Sequence, residues 1–396
     1  MFPVGKMDFS GKLILAVLFL VTIFLFAGYV MDRPVEREGE FMFTESEREE
    51  FVVEVINDEL AHPWGIDFVD EETALVTERP GNLNILEIET GETFEVSGVP
   101  EVVDVGQGGL LDVEEVEGTV YLTYSDSLEQ GYTTFLGKGE LDLEEREISD
   151  FEVLDRAEPA MDSGQHFGSR VLYDDGYVYY TVGDRGDKDF EPDHVSQQTG
   201  NTLGTTLRLT EDGEVPEENP FVEDGNYDDR IFTYGHRNVQ GMVLHPETGE
   251  IWQSEHGERD GDEINVLEEG GNYGWPVTHY GCIYGTQTPI GDEPHEREDI
   301  VNPVYYWECT SGGFPPAGMT FYKDDSIEEL DGQLLVGNLA GRYLGRFDVD
   351  GEVEELDPLL DEMGWRIRDV EQTPDGRLII LTDEDPAFIL LVDSGN

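Results

Sequence analysis

Residues 167–184 read FGSRVLYDDGYVYYTVGD, and this stretch decides the fold. A small residue leads into a hydrophobic pair, an acidic Gly-containing turn follows at Asp174-Asp175-Gly176, and a second β-branched and aromatic run ends in Gly183-Asp184. Such runs bounded by turn residues are two neighbouring strands joined by a tight turn. The same pattern stands at WGIDFVDEETALVTE from Trp64, GGLLDVEEVEGTVYLTYSD from Gly108 and QGMVLHPETGEIWQSEHG from Gln240. It returns at AGMTFYKDDSIEELDGQLLVGN from Ala317 and RIRDVEQTPDGRLIILTD from Arg366. Self-similarity at a long period points to a propeller or a solenoid. Four-stranded blades arranged radially bury both faces of each sheet and leave only short edges. The expected fold is therefore all-β, a six-bladed β-propeller over residues 51–396. A β-sandwich would not account for six copies.

The copies are interrupted mainly between Asp184 and Gln240 and between Gly257 and Ala317, where His, Arg, Asn, Trp, Tyr and Gly concentrate. Insertions of this kind gather at one mouth of a propeller channel, and loops carry function more often than the scaffold does.

The composition sets a second constraint. The formal net charge is -67, from 90 acidic and 23 basic residues in a chain of 396. That surface would repel nucleic acid and anionic lipid, and nucleic acid is not expected as a partner. A hydrophobic share of 38% supplies a core, so the acidity does not imply disorder. Concentrated salt screens such self-repulsion, because the Debye length shrinks to roughly 3 Å at 1 M. The expectation is a halophilic protein whose fold depends on salt.

At the other end of the chain, LILAVLFLVTIFLFAGYVM at residues 13–31 is an uncharged apolar run preceded by Lys6 and Lys12. Its length suits a membrane-spanning helix, and the positive-inside tendency leaves residues 1–12 in the cytoplasm and the remainder outside. No small-x-small site follows it cleanly, so an uncleaved anchor is preferred to a signal peptide that would release a secreted protein. Residues 32–50 are charged and aperiodic and read as an acidic tether. An exported location permits Cys282 and Cys309 to pair, although their spacing does not decide it.

Several stretches in a shared order, among them VGQGGLLDV, HFGSRVLYDDGYVYYTVGDRG, YGHRNVQGM, SEHGERDGDEINVLEEGGNYGWP and RIRDVEQTPDG, resemble the soluble pyrroloquinoline quinone (PQQ) dependent aldose and glucose dehydrogenases. The resemblance runs from about residue 60 to residue 391 and implies oxidation of the anomeric hydroxyl of an aldose to the lactone, with PQQ and calcium as cofactors. It implies His166 as the catalytic base. Gln107, Arg237, Asn238, Tyr284, Arg366 and Arg368 are implied as cofactor-binding residues, and Glu263 and Tyr273 as calcium ligands. This division suits the chemistry. A base must take the hydroxyl proton, positive charge must polarise the quinone oxygen, and the cofactor's three carboxylates call for cations. Hard oxygen ligands suit calcium. Arg366 and Arg368 are alternate residues of a strand and share a face.

Two positions depart from the family pattern. Gln165 stands where some relatives place an Asp before the base, and Ala340 stands where relatives commonly have a Lys for a PQQ carboxylate. Arg342 is a nearby substitute; otherwise the cofactor is held more weakly. In this alignment Cys282 and Cys309 flank the cofactor-side insertion, so a disulfide between them would pin two loops of the site. His256 has no second His at ligand spacing and is not expected to bind a metal. An external acceptor, a membrane quinone or a small redox protein, is expected to take the electrons. Two other readings remain open on the sequence: a calcium-dependent propeller lactonase, against which Arg237, Arg366 and Arg368 count, and a non-catalytic propeller that binds a sugar or a partner.

Overall fold

In every copy of the repeat the two expected strands form the inner half of an antiparallel sheet. In the third copy Val171–Asp174 pairs with Tyr177–Val182, with Val171 opposite Tyr180 and Asp174 opposite Tyr177. Thr205–Thr210 and Ile231–Tyr234 complete that blade. The computed structural model describes residues 40–43 and 51–395. The apolar run 13–31 and most of the 32–50 tether lie outside the described residues. No helix among the described residues is long and apolar enough to cross a membrane.

Blade one comprises Pro63–Phe68, Thr73–Glu78, Asn82–Glu87 and Thr93–Val96. Blade two comprises Leu110–Val116, Thr119–Leu128, Gly131–Asp142 and Glu147–Arg156. Blade four uses Val239–Leu244, Ile251–Glu255, Glu263–Val266 and Tyr305–Tyr306. Blade five uses Pro316–Phe321, Gln333–Asn338, Tyr343–Asp348 and Glu354–Glu355. Blade six combines Ile367–Gln372, Leu378–Thr382 and Ile389–Ser394 with Phe51–Asn57 from the other end of the chain. Val53 lies opposite Val392 in that pairing, so the ring is locked by a strand brought from far away in sequence. Glu40–Phe43, within the stretch read as tether, runs antiparallel to Phe51–Asn57 and extends this sheet by one strand.

The first strand of each blade packs against the first strand of the next, and Ile367–Gln372 returns to Pro63–Phe68. This closed ring is the six-bladed β-propeller that the repeat predicted. Apolar side chains fill the wedges between blades. Leu75, Leu83, Val113, Leu122 and Phe135 join blades one and two, and Trp252, Met319, Leu334 and Phe347 join blades four and five. Each such side chain contributes about 1.5–3 kcal/mol on burial.

One charged group ties the blades at the axis. The buried Arg170 guanidinium donates to Asp112 Oδ1 at 3.0 Å, to Asp369 Oδ2 at 2.9 Å and Oδ1 at 3.1 Å, and to the Gln240 carbonyl at 2.6 Å. It also lies 4.4 Å from the Trp64 ring centroid. A single residue of blade three therefore engages blades one, two, four and six. The small residue that opens two of the copies explains the room it needs. A Cβ on Gly65 would fall 2.3 Å from Asp112 Oδ1, and one on Gly318 would fall 1.5 Å from Asp369 Oδ1.

Candidate active site

A cavity of about 250 Å³ opens at the axis above Arg170, with Gln107, Asn238, Ala340, Arg366, Arg368 and Asp383 in its wall. Five of these come from the expected site set or its stated departures, Asp383 being the exception. The wall draws on several blades, so it exists only once the ring is closed.

His166 sits beside this wall, next to Phe167 and Gly168, which line it. Its backbone N–H donates to Gln107 Oε1 at 2.8 Å, and Gln107 N donates back to the Gly164 carbonyl at 2.8 Å, so the GQGG loop and the loop carrying His166 fix one another. His166 Nδ1 lies 2.6 Å from Asp184 Oδ1. The same carboxylate accepts from the Gly186 amide at 2.8 Å and, through Oδ2, from the Trp275 indole N–H at 2.8 Å. Burial alone would raise Asp184, but the His166 imidazole, the Arg237 charge and the Gly186 amide together hold it at about 2. An ionised acceptor at Nδ1 places the proton on that nitrogen and leaves Nε2 with its lone pair. Burial lowers the His166 pKa below its ordinary value, with Arg237 and Lys188 adding to the effect against the pull of Asp184. The ring is thus held neutral, oriented and able to accept a proton at Nε2. Gln165 left the orienting group unassigned in the sequence. The structure supplies it as Asp184, the residue that ends the third repeat.

Arg237 is buried, with Nη2 donating to Glu258 Oε2 at 2.7 Å, Nη1 to the His256 carbonyl at 3.2 Å, and its plane 5.3 Å from the Trp275 ring centroid. Glu258 also pairs with Lys188. Arg237 Nε is buried without a hydrogen-bond partner among the described residues. Asn238 faces the cavity, and its Oδ1 accepts from the Gly168 amide at 3.2 Å.

Arg366 and Arg368 both reach the cavity, although the strand begins only at Ile367 and its pairing is irregular between Ile367 and Asp369. They meet at Asp383 Oδ2, at 2.7 and 3.2 Å. Burial opposes ionisation of Asp383, yet Arg368, Arg366 and His62 hold its carboxyl well below the usual range. Arg368 also donates to Gln240 Oε1 at 3.1 Å, and its Nε is another buried donor without a partner among the described residues. Asp383 closes the sixth repeat as Asp184 closes the third, and the strand-ending Asp was the signal that could have found both. Ala340 lies in the cavity wall, whereas Arg342 turns away and donates to the Gly364 carbonyl at 2.7 Å, so it does not replace the missing Lys.

The remaining expected residues lie apart from this wall. Glu263 is buried in blade four opposite Glu255, and burial together with the Glu255 charge raises its pKa well above the ordinary value. Asn265 Nδ2 donates to Glu263 Oε2 at 3.3 Å while Asn265 Oδ1 is buried without a partner. The Tyr273 hydroxyl is committed, donating to the Val266 carbonyl at 2.7 Å and accepting from the Glu268 amide at 2.8 Å. Its ring stacks on His236, whose Nδ1 lies 2.8 Å from Glu255 Oε2. Among the described residues no cluster of three or more His, Cys, Asp or Glu side chains is assembled for a metal. Tyr284 is 62% exposed, outside the cavity wall, with Lys188 Nζ 5.6 Å from its ring centroid. A side chain on an outward loop has little to cover it, and the structure does not bring this one to the cavity. Cys282 and Cys309 are joined in a disulfide, with Cα atoms 5.5 Å apart, which ties the loop carrying Tyr284 to the segment after Tyr305–Tyr306. His256 lines the cavity with its Nε2 on the Pro316 carbonyl at 2.6 Å, and burial lowers it to about 3, so it stays neutral and is a hydrogen-bond donor.

Comparison with known proteins bears on the family and the fold. The chain is 35% identical over 358 residues to a curated aldose sugar dehydrogenase of Escherichia coli, covering 87% of this chain and 93% of that relative. The crystal structure of the apo form of the soluble Escherichia coli aldose sugar dehydrogenase superposes with a TM-score of 0.79 at 34% identity, over 87% of this chain and 99% of that one. Quinoprotein glucose dehydrogenase B of Acinetobacter calcoaceticus is 30% identical over 271 residues, 59% of this chain and 54% of that relative. A family model described as Glucose / Sorbosone dehydrogenase matches residues 60–391, which spans all six copies of the repeat. The chain belongs to the glucose/sorbosone dehydrogenase family of oxidoreductases.

Proposed function

We propose that the protein oxidises the anomeric hydroxyl of an aldose to the lactone in a PQQ-dependent reaction and passes the electrons to an external acceptor. The observation that carries this is the His166–Asp184 pair beside a cavity walled by Arg366, Arg368 and Asn238. The wall suits the cofactor. Arg366 and Arg368 share only one carboxylate, Asp383, and buried guanidinium N–H groups remain without acceptors, as a polycarboxylate ligand requires. The quinoprotein relative in Acinetobacter calcoaceticus adds support.

Bound PQQ would supply the ortho-quinone that accepts a hydride. Arg366 and Arg368 would hold its carboxylates, Arg237 and Asn238 would face the quinone oxygens, and Gln107 would stand between cofactor and sugar. Losing hydride and a proton from one carbon–oxygen unit needs a base only for the proton. His166 Nε2 takes it, and Asp184 stabilises the imidazolium that forms. Calcium is proposed at Glu263 and the Tyr273 carbonyl. A buried carboxylate facing Glu255, with an unpartnered Asn265 oxygen nearby, favours a hard cation.

The apolar run 13–31 is proposed as a membrane anchor that displays the propeller outside the cell, with a membrane quinone or small redox protein as acceptor. The acidic surface is proposed as an adaptation to concentrated salt.

Reconstituting the purified chain with PQQ and calcium in concentrated salt, and following aldose-dependent reduction of an artificial dye, tests the proposal. Lactone hydrolysis without dye reduction would replace it by the lactonase reading. Sugar binding without either activity would leave a binding propeller.

A further inference from the structure

Arg79 directly follows the second strand of blade one and stands in the wall of the same cavity as Arg366, Arg368 and Ala340. Its backbone is fixed at both ends, with its N–H donating to the His62 carbonyl at 3.1 Å and its carbonyl accepting from Leu110 N at 3.0 Å. Its side chain is 24% exposed, and its Nε is buried without a hydrogen-bond partner among the described residues. The carboxylate nearest to it, Asp104 Oδ1, is 3.7 Å from Nε and is itself 43% exposed, too far for a hydrogen bond.

Arg366 and Arg368 differ from it in that both spend donors on Asp383. Around the ring, blade six carries those two arginines, blade five contributes the uncharged Ala340 on one side, and blade one contributes Arg79 on the other. Two guanidinium groups sharing one carboxylate leave one positive charge in the wall, and Arg79 adds a further guanidinium whose ion-pair partner at 3.7 Å, Asp104, lies outside the wall. A buried donor without an acceptor is costly to maintain, and in a cavity wall it marks where the acceptor of a ligand belongs. The planar guanidinium is the side chain best matched to a carboxylate.

We propose that Arg79 is a cofactor-binding residue: its Nε–H is held for a carboxylate of the bound quinone, on the opposite flank of Arg366 and Arg368 from Ala340. The inference rests on the PQQ reading of the cavity.

The test is titration of the cofactor-free full chain with PQQ in concentrated salt, read by quenching of tryptophan fluorescence, since Trp64 lines the cavity. Arg79→Gln is expected to weaken PQQ binding about tenfold or more, with an unchanged melting temperature of the cofactor-free protein. Arg342→Gln removes the same charge outside the cavity, and its dissociation constant is expected to stay within about twofold because salt screens the distant charge. If Arg79→Gln does not fold, Arg79→Lys decides, with several-fold weaker binding expected because the Nε–H is gone. Wild-type affinity in the folded Arg79→Gln or in Arg79→Lys overturns the proposal, as does equal weakening by Arg342→Gln. Failure of the unaltered chain to bind PQQ overturns the cofactor reading and this inference with it, whereas tight binding that ignores Arg79 overturns this inference alone.

Discussion

His166 Nδ1 rests 2.6 Å from Asp184 Oδ1 across a separation of 18 residues. The relationship fixes which imidazole nitrogen is free to take a proton, and the Trp275 indole and the Gly186 amide keep the carboxylate in place. Most of the reactivity assigned to this site depends on that one contact.

Asp184→Asn keeps the shape and removes the charge. The amide can donate to Nδ1 and favour the wrong tautomer, so kcat for aldose-dependent dye reduction is expected to fall about 10³- to 10⁴-fold. PQQ affinity, measured by fluorescence quenching, is expected to change little. A kcat near wild type would remove Asp184 from the mechanism.

His166→Gln removes the base itself. Turnover is expected to vanish while PQQ still binds, which steady-state kinetics and equilibrium titration separate. Persisting turnover would assign the proton to another group.

Acidification bears on both activity and stability. His166 has its folded pKa lowered by burial, so kcat/KM is expected to stay level through neutral pH and to fall only below the ordinary histidine value of 6.5. The unfolded chain protonates this His first as pH drops, so its contribution to stability is present above 6.5 and is lost on going down toward the folded value. Asp184, held at about 2 against an ordinary 3.8, loses its contribution between those two values. Buried carboxylates such as Asp112 and Glu263, raised by burial, act in the opposite sense, so the His166 contribution is read by difference: thermal melts of the wild type should lose stability below 6.5 relative to those of His166→Gln, and parallel profiles would contradict the assignment.

Arg170→Met leaves Asp112 and Asp369 facing one another at the axis without their shared cation. Breaking a buried pair from one side is expected to cost about 3–5 kcal/mol, seen as a lower denaturant midpoint. Burial already pushes Asp112 up to about 7, despite Arg170, and that group should become a neutral acid in the variant. Adding Asp112→Asn and Asp369→Asn to Arg170→Met is expected to recover part of the loss.

Dilution of salt is expected to lower the melting temperature steeply, because 90 acidic residues face 23 basic ones. An identical melt in dilute buffer and at about 3 M salt would remove the halophilic reading, since screening lengths differ severalfold between them.

The six-fold repeat determined the scaffold, because strand periodicity and turn chemistry are local properties that each copy carries whole. The inner strand pair of every blade lies inside its quoted segment to within one or two residues at each end, and the spacing that brings Arg366 and Arg368 to one cavity is equally local. The resemblance in motif order located His166, Asn238 and Gln107 for the same reason, since each is embedded in a short contiguous signature. What only the tertiary structure decided is who faces whom across the ring. Asp184 orients His166, Asp383 stands between the arginines, and Arg170 meets Asp369 over 199 residues of chain. Tyr284 stays outside the cavity, and Arg79 enters it. Such contacts depend on the angle between blades and on the closure of blade six by Phe51–Asn57, and no local pattern encodes either.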